Sequence, residues 1–144
     1  MKKLSASVMA LAACTTWAVA QDVDVIKEKE VFRNDDVVMH QIDEHTWHGN
    51  GHLVYNESVY LIEGDTAAIL LDAGTKIPGL RKIVEDIVKK PVTLVLTHGH
   101  GDHVGMVDEW DNVWLNAGDL PIFPANYKGE KHYLTDGQVF HLGG

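Results

Sequence analysis

A chain of 144 residues is long enough for one domain, and its 45% hydrophobic and 23% charged content is that of a globular protein, neither disordered nor fibrous. The formal net charge of −9 argues against nucleic acid or an anionic membrane as partner, because an acidic surface attracts neither.

The first twenty residues read as a signal peptide. Lys2 and Lys3 form a basic start, a small apolar stretch follows, and Ala18-Val19-Ala20 supplies an A-x-A cleavage site before Gln21-Asp22. The stretch is interrupted by Ser5, Ser7, Thr15 and Thr16, so it makes a poor transmembrane span. A buried N-terminal helix is the weaker alternative. Leu11-Ala12-Ala13-Cys14 also resembles a lipobox, which would anchor the protein through a lipid on Cys14. Cleavage after Ala20 is preferred, because Thr-Thr-Trp-Ala-Val-Ala is a less polar tether than a lipoprotein needs. The expectation is an exported protein, periplasmic or secreted, with residues 1–20 as signal and 21–144 as the domain. Cys14 is the sole cysteine, so the mature segment has no disulfide, thiol nucleophile or thiolate ligand.

Beyond the signal, Val23 to Arg33 alternates loosely, as an edge strand would, and Val37 to Ile42 reads as a strand before a turn at Asp43-Glu44. His45 to His52 carries an Asn50-Gly51 turn between extended segments, with solvated histidines. Apolar runs at Val59 to Ile62 and Ala67 to Leu71 flank Gly64-Asp65 and predict a hairpin. The period then changes. Ile77, Leu80, Ile83, Val84, Ile87 and Val88 share one helical face, with Thr75 as N-cap, Pro78 in the first turn, Lys89-Lys90 at the end and Pro91 beyond it. "VTLVLT" is a short buried strand. A short helix from Val104 to Trp110, a strand at Val113 to Leu115 and a loop-like stretch as far as "QVFHL" complete an α/β alternation.

The chemistry concentrates in "HGHGDH", His98 to His103, at the end of the "VTLVLT" strand. On extended backbone His98 and His100 project to the same side and can reach one ion. Gly99 and Gly101 let the chain turn tightly and bring Asp102 and His103 to the same place. Imidazoles with a carboxylate suit a borderline divalent ion, zinc first. Three histidines and an aspartate at this spacing after a buried strand outweigh a solvated polar loop.

His98-Gly99-His100-Gly101-Asp102-His103 resembles the H-x-H-x-D-H motif of the metallo-β-lactamase superfamily. "AILLDAG" resembles that family's strand ending in Asp-x-Gly, "SVYLIEGDTAAILLDAG" its opening hairpin, and "LTDGQVFHLGG" the strand before its third metal-binding segment. The resemblance covers most of Val37 to Gly144. It implies an α/β fold, the N-terminal half of an αββα sandwich, with 21–144 an incomplete domain whose second half is absent. It implies two zinc ions, His98 and His100 on the first and Asp102 and His103 on the second, with Asp72 beneath them holding ligands by hydrogen bonds. It also implies a hydrolase in which a metal-bound hydroxide, oriented by Asp102, attacks a carbonyl or ester centre of a small molecule: a β-lactam, lactone, thioester or similar.

The family's further ligands, a histidine in a Gly-His-Ser/Thr segment, a bridging aspartate or cysteine and a last histidine, are not found by Gly144. His132 and His141, like His40 and His45, lack the flanking pattern and read as surface or structural. His48 and His52 read as solvated, and Trp47 as packing or as a substrate contact. A 144-residue fragment is therefore expected to be inactive alone. The competing expectation is a non-catalytic, secreted metal-binding half-domain.

Overall fold

The computed structural model describes residues 28–50 and 57–143. The expected signal segment, His52 and the Asn50-Gly51 turn beyond Asn50 lie outside the described residues. Among those described, eight strands form one sheet in sequence order: β1 (Lys29–Arg33), β2 (Val38–Gln41), β3 (Thr46–Asn50), β4 (Val59–Glu63), β5 (Ala68–Leu71), β6 (Val92–Val95), β7 (Asn112–Leu115) and β8 (Glu130–Tyr133). The pairs from β1 to β5 are antiparallel, and those from β5 to β8 are parallel. The change follows from the connections. Short turns join β1 to β2, β2 to β3 and β4 to β5, whereas the helix α1 (Leu80–Val88) carries the chain from β5 back to the start of β6.

One face of the sheet holds the core. Met39, Trp47, Val59, Leu61, Ala68, Leu70, Leu94, Val113 and Leu115 alternate inward and meet Leu80, Ile83, Val84 and Val88 of α1. Each large side chain buried there contributes about 1.5–3 kcal/mol relative to exposure. Trp47 is 6% exposed and packs in this core. The opposite face is half covered: Tyr60, Ile62, Leu71, Trp114 and His132 remain intermediate or exposed. His132 stacks on Trp114 at 4.9 Å between ring centroids, a structural role as expected.

The expected hairpin about Gly64-Asp65 is present, with Glu63 opposite Ala68. Three expectations need correction. The helix starts at Leu80, not Ile77: its N-cap is Gly79 at φ 79°, a left-handed conformation that glycine adopts without strain. Thr75 does not cap it; its hydroxyl donates to Glu57 instead. The cap comes from across the fold, where Glu109 accepts from the backbone N–H groups of Gly79 (2.7 Å) and Arg81 (2.8 Å). Secondly, the stretch expected as a helix from Val104 to Trp110 forms only a 3-10 turn at Val107–Glu109. Thirdly, β8 lies where a loop was expected, while "QVFHL" is not a strand. The Leu142 carbonyl instead accepts from the N–H groups of Thr66 and Ala67.

Glu109→Ala removes the acceptor of two helix-terminal N–H groups. It is expected to lower stability by about 1–2 kcal/mol in urea denaturation, with an unchanged slope on denaturant concentration.

Candidate metal centre

The ligand loop begins where β6 is cut short. β6 ends at Val95, and the N–H of Thr97 turns away from the sheet to donate to Asp72 Oδ1 at 2.8 Å. Asp72 stands at the C-terminal end of β5, the neighbouring parallel strand, 5% exposed and at φ 65°. Few side chains tolerate that backbone; aspartate is one of them.

Asp72 also accepts from Thr97 Oγ1 at 2.7 Å and from His103 Nδ1 at 2.8 Å, both on Oδ2. An ionised carboxylate has no proton to give, so His103 Nδ1 is the donor. In the neutral form of His103 the lone pair is then on Nε2, the nitrogen that faces Asp102 Oδ2 at 3.4 Å. The same reasoning reaches His98. The Thr97 hydroxyl proton is committed to Asp72, so at the 3.1 Å contact His98 Nδ1 donates to Thr97 Oγ1. In the neutral imidazole that leaves His98 Nε2 as the ligand nitrogen. One buried carboxylate thus fixes the tautomers of two imidazoles, one directly and one through a hydroxyl.

His98, His100 and Asp102 come together, each offering a ligand atom, and these atoms lie within 4.8 Å of one another. Two imidazole nitrogens and a carboxylate oxygen are a donor set that fits zinc, and three protein ligands are what a catalytic zinc site supplies. The rings crowd: His98 and His100 meet edge-on at 4.8 Å, and His98 and His103 at 3.9 Å. Asp102 stands between the two pairs expected from the motif, close to His98 and His100 and also 3.4 Å from His103 Nε2. His98, His100 and Asp102 offer three ligand atoms to one ion, and His103, held by Asp72, adjoins them through Asp102. Thr75, His100, Gly101 and Asp102 line an open depression of about 550 Å³. A larger groove of about 670 Å³, between β1 and α1, is lined by Phe32, Trp47, Lys82 and Ile83 and holds none of these residues.

Backbone contacts lock the loop from below. Ala73 donates to the His103 carbonyl at 2.7 Å and Gly105 to the Gly74 carbonyl at 2.7 Å. A Cβ on Gly105 would collide with the backbone of Gly74 and Thr75. Glu57, 8% exposed, braces the same segment by accepting from the Thr75 hydroxyl. Glu57 and Gly105 were not singled out in the sequence; "HVG" directly after the histidines was the only available signal for the latter. The glycines between the histidines differ from expectation. Gly99 is packed tightly against Asp119 and Ile122, whereas a Cβ on Gly101 would meet open space, so no close approach requires glycine there.

Two features now coincide: an Asp-x-Gly strand end under a His-x-His-x-Asp-His loop, and a sheet that changes from antiparallel to parallel at β5. The family model described as "Metallo-beta-lactamase superfamily" matches residues 52–122. The chain belongs to the metallo-beta-lactamase superfamily. Its sheet and helix resemble a metallo-beta-lactamase from Pontibacter korlensis, at a TM-score of 0.59 and 20% identity over 75% of this chain and 57% of that one. They also resemble the metallo-beta-lactamase FIM-1 from Pseudomonas aeruginosa in its mono-zinc form, at 0.54 and 22% over 69% and 51%. At such identities the likeness establishes the fold. Two superfamily relatives match in sequence. One is a probable metallo-hydrolase, YqgX, of Bacillus subtilis, 26% identical over 57% of this chain and 36% of its own length. The other is an atrochrysone carboxyl ACP thioesterase of Aspergillus terreus, 28% identical over 60% and 28%. The chain thus spans about a third of the curated relatives it matches. At the coarse level it is of a hydrolase family.

Asp72→Asn keeps a residue that tolerates positive φ but replaces an acceptor oxygen with a donor. Zinc affinity, read by competition with a chromophoric chelator, is expected to fall about 10- to 100-fold. Gly105→Ala is expected to cost more than about 2 kcal/mol in chemical denaturation, because the collision is with backbone that has no rotamer to escape into.

Proposed function

We propose that this chain is the metal-binding part of an exported, zinc-dependent hydrolase acting on a small molecule with a carbonyl or ester centre. The observation that carries the reading is the convergence of His98, His100 and Asp102 at an open depression, with Asp72 fixing the ring orientation behind them. When bound, zinc supplies a Lewis acid and lowers the pKa of a coordinated water toward neutrality.

The chain's own residues have separable roles. His98 and His100 would hold the ion through neutral imidazole nitrogens. His103, with Nε2 3.4 Å from Asp102, would be a ligand of a second ion. Asp102 would supply a ligand oxygen, and its other oxygen would be the acceptor that orients a water at the site. Asp72 keeps His103 in the required tautomer. No protein nucleophile is invoked, in keeping with a segment after Ala20 that has no cysteine.

Export rests on the Lys2-Lys3 start, the apolar stretch and Ala18-Val19-Ala20. Among the described residues no helix is long and apolar enough to cross a membrane. The acidic balance favours a small-molecule substrate over nucleic acid. A thioesterase and probable metallo-hydrolase among the relatives support an acyl-type substrate as much as a β-lactam.

The test is hydrolysis by the full-length protein of a β-lactam, a lactone and an acyl thioester, with and without chelator. His98→Ala and Asp102→Ala are each expected to lower kcat for the accepted substrate by more than about a hundredfold. Full activity in either variant, or activity untouched by removal of all metal, would overturn the proposal.

A further inference from the structure

A second group of metal-ligand side chains lies away from the motif, on the β2–β3 hairpin. His40 on β2 and His48 on β3 are directly opposite in the antiparallel register, on the sheet face turned away from α1. Their rings stack at 5.5 Å with planes 27° apart. Glu28, just before β1, brings Oε2 to 3.8 Å from His48 Nδ1. The three residues offer ligand atoms within 4.8 Å of one another.

Hydrogen bonding leaves this group unfinished. The Nδ1 atoms of both histidines are buried, and neither has a hydrogen-bond partner among the described residues. A buried ring nitrogen without a partner is costly, and two on one cross-strand pair need a common explanation. The neighbouring carboxylate does not provide it: Glu30, opposite His40, is engaged by Arg33 at 2.6 and 3.0 Å. Among the described residues Glu28 has no lysine or arginine partner, and the side chain it faces is His48. Tyr60 pairs with His48 on β4 and covers one side, its ring 6.1 Å away.

We infer that Glu28, His40 and His48 form a second binding site for a divalent transition-metal ion, with zinc as the natural candidate. Two imidazoles and one carboxylate match zinc's ligand preferences and leave the fourth position to water. Cross-strand neighbours have Cβ atoms only about 4.5–5.5 Å apart, so both rings can turn onto one ion without moving the backbone. The ion replaces two absent hydrogen-bond partners and ties the residue that precedes β1 to the adjacent hairpin. This site is separate from the first. β3 lies three strands from β6 in the sheet, about 14 Å at ~4.8 Å per strand.

The test uses the whole chain with the motif site removed, as the His98→Ala/His100→Ala/Asp102→Ala variant, freed of metal and checked for folding by circular dichroism. Titration with cobalt(II) is expected to bind one equivalent with a visible d–d band of tetrahedral strength, and zinc(II) to displace it. Adding Glu28→Gln, at an exposed position that should leave folding intact, is expected to weaken binding by at least about tenfold, since even outer-shell changes cost that much. Adding His40→Gln and His48→Gln is expected to abolish it. A folded triple variant that binds neither ion, or that binds as well after the Glu28 or histidine changes, overturns the inference.

Discussion

The buried carboxylate of Asp72 is the constraint on which the site depends. It stands where β5 ends, in a backbone conformation that few residues accept, and it takes three hydrogen bonds from Thr97 and His103. The Thr97 contact diverts the chain out of β6 and starts the ligand loop. The His103 contact closes that loop back onto β5. Remove the negative charge and the imidazoles lose their tautomeric bias together with their anchor.

Around that carboxylate the fold supplies rigidity by close packing of backbone on backbone. The Asp72–Thr75 segment and the His103–Gly105 segment exchange short hydrogen bonds, and Gly105 has no room for a side chain. The parallel arrangement of β5, β6 and β7 puts all their C-terminal ends on one edge of the sheet. This is the edge at which open α/β sheets place their ligands, because the loops leaving adjacent strands can converge there.

Much of this was legible in the sequence because it is written in local periods. The β4–β5 hairpin follows from two apolar runs about Gly64-Asp65, and α1 from the spacing of Leu80, Ile83, Val84 and Val88. The grouping of His98, His100 and Asp102 follows from their spacing after a buried strand. What was not legible depends on partners distant in sequence. The helix start is set by Gly79 and by Glu109, thirty residues on, while Ile77 is buried on the same apolar pattern without being helical. β8, Glu-Lys-His-Tyr, has no apolar alternation and exists because β7 offers a parallel edge. Local pattern alone makes His40 a surface or structural residue and His48 a solvated one. Their pairing follows from the Asp43-Glu44 turn once the register is counted outward from it. The division of ligands between two ions came from the motif alone; the geometry puts Asp102 within reach of His98 and His100 and also beside His103.

The cap that Glu109 places on α1 has a consequence for how the loop meets an ion. The stretch from Thr97 to Glu109 is fastened at its start by Asp72 and at its end by the first turn of the helix, where Arg81 also donates to the Glu109 carbonyl at 3.0 Å. A tether with both ends fixed has already given up most of its conformational freedom when the chain folds. Capture of an ion then requires little further ordering, so the affinity of the histidines is linked to the integrity of a helix that never touches them.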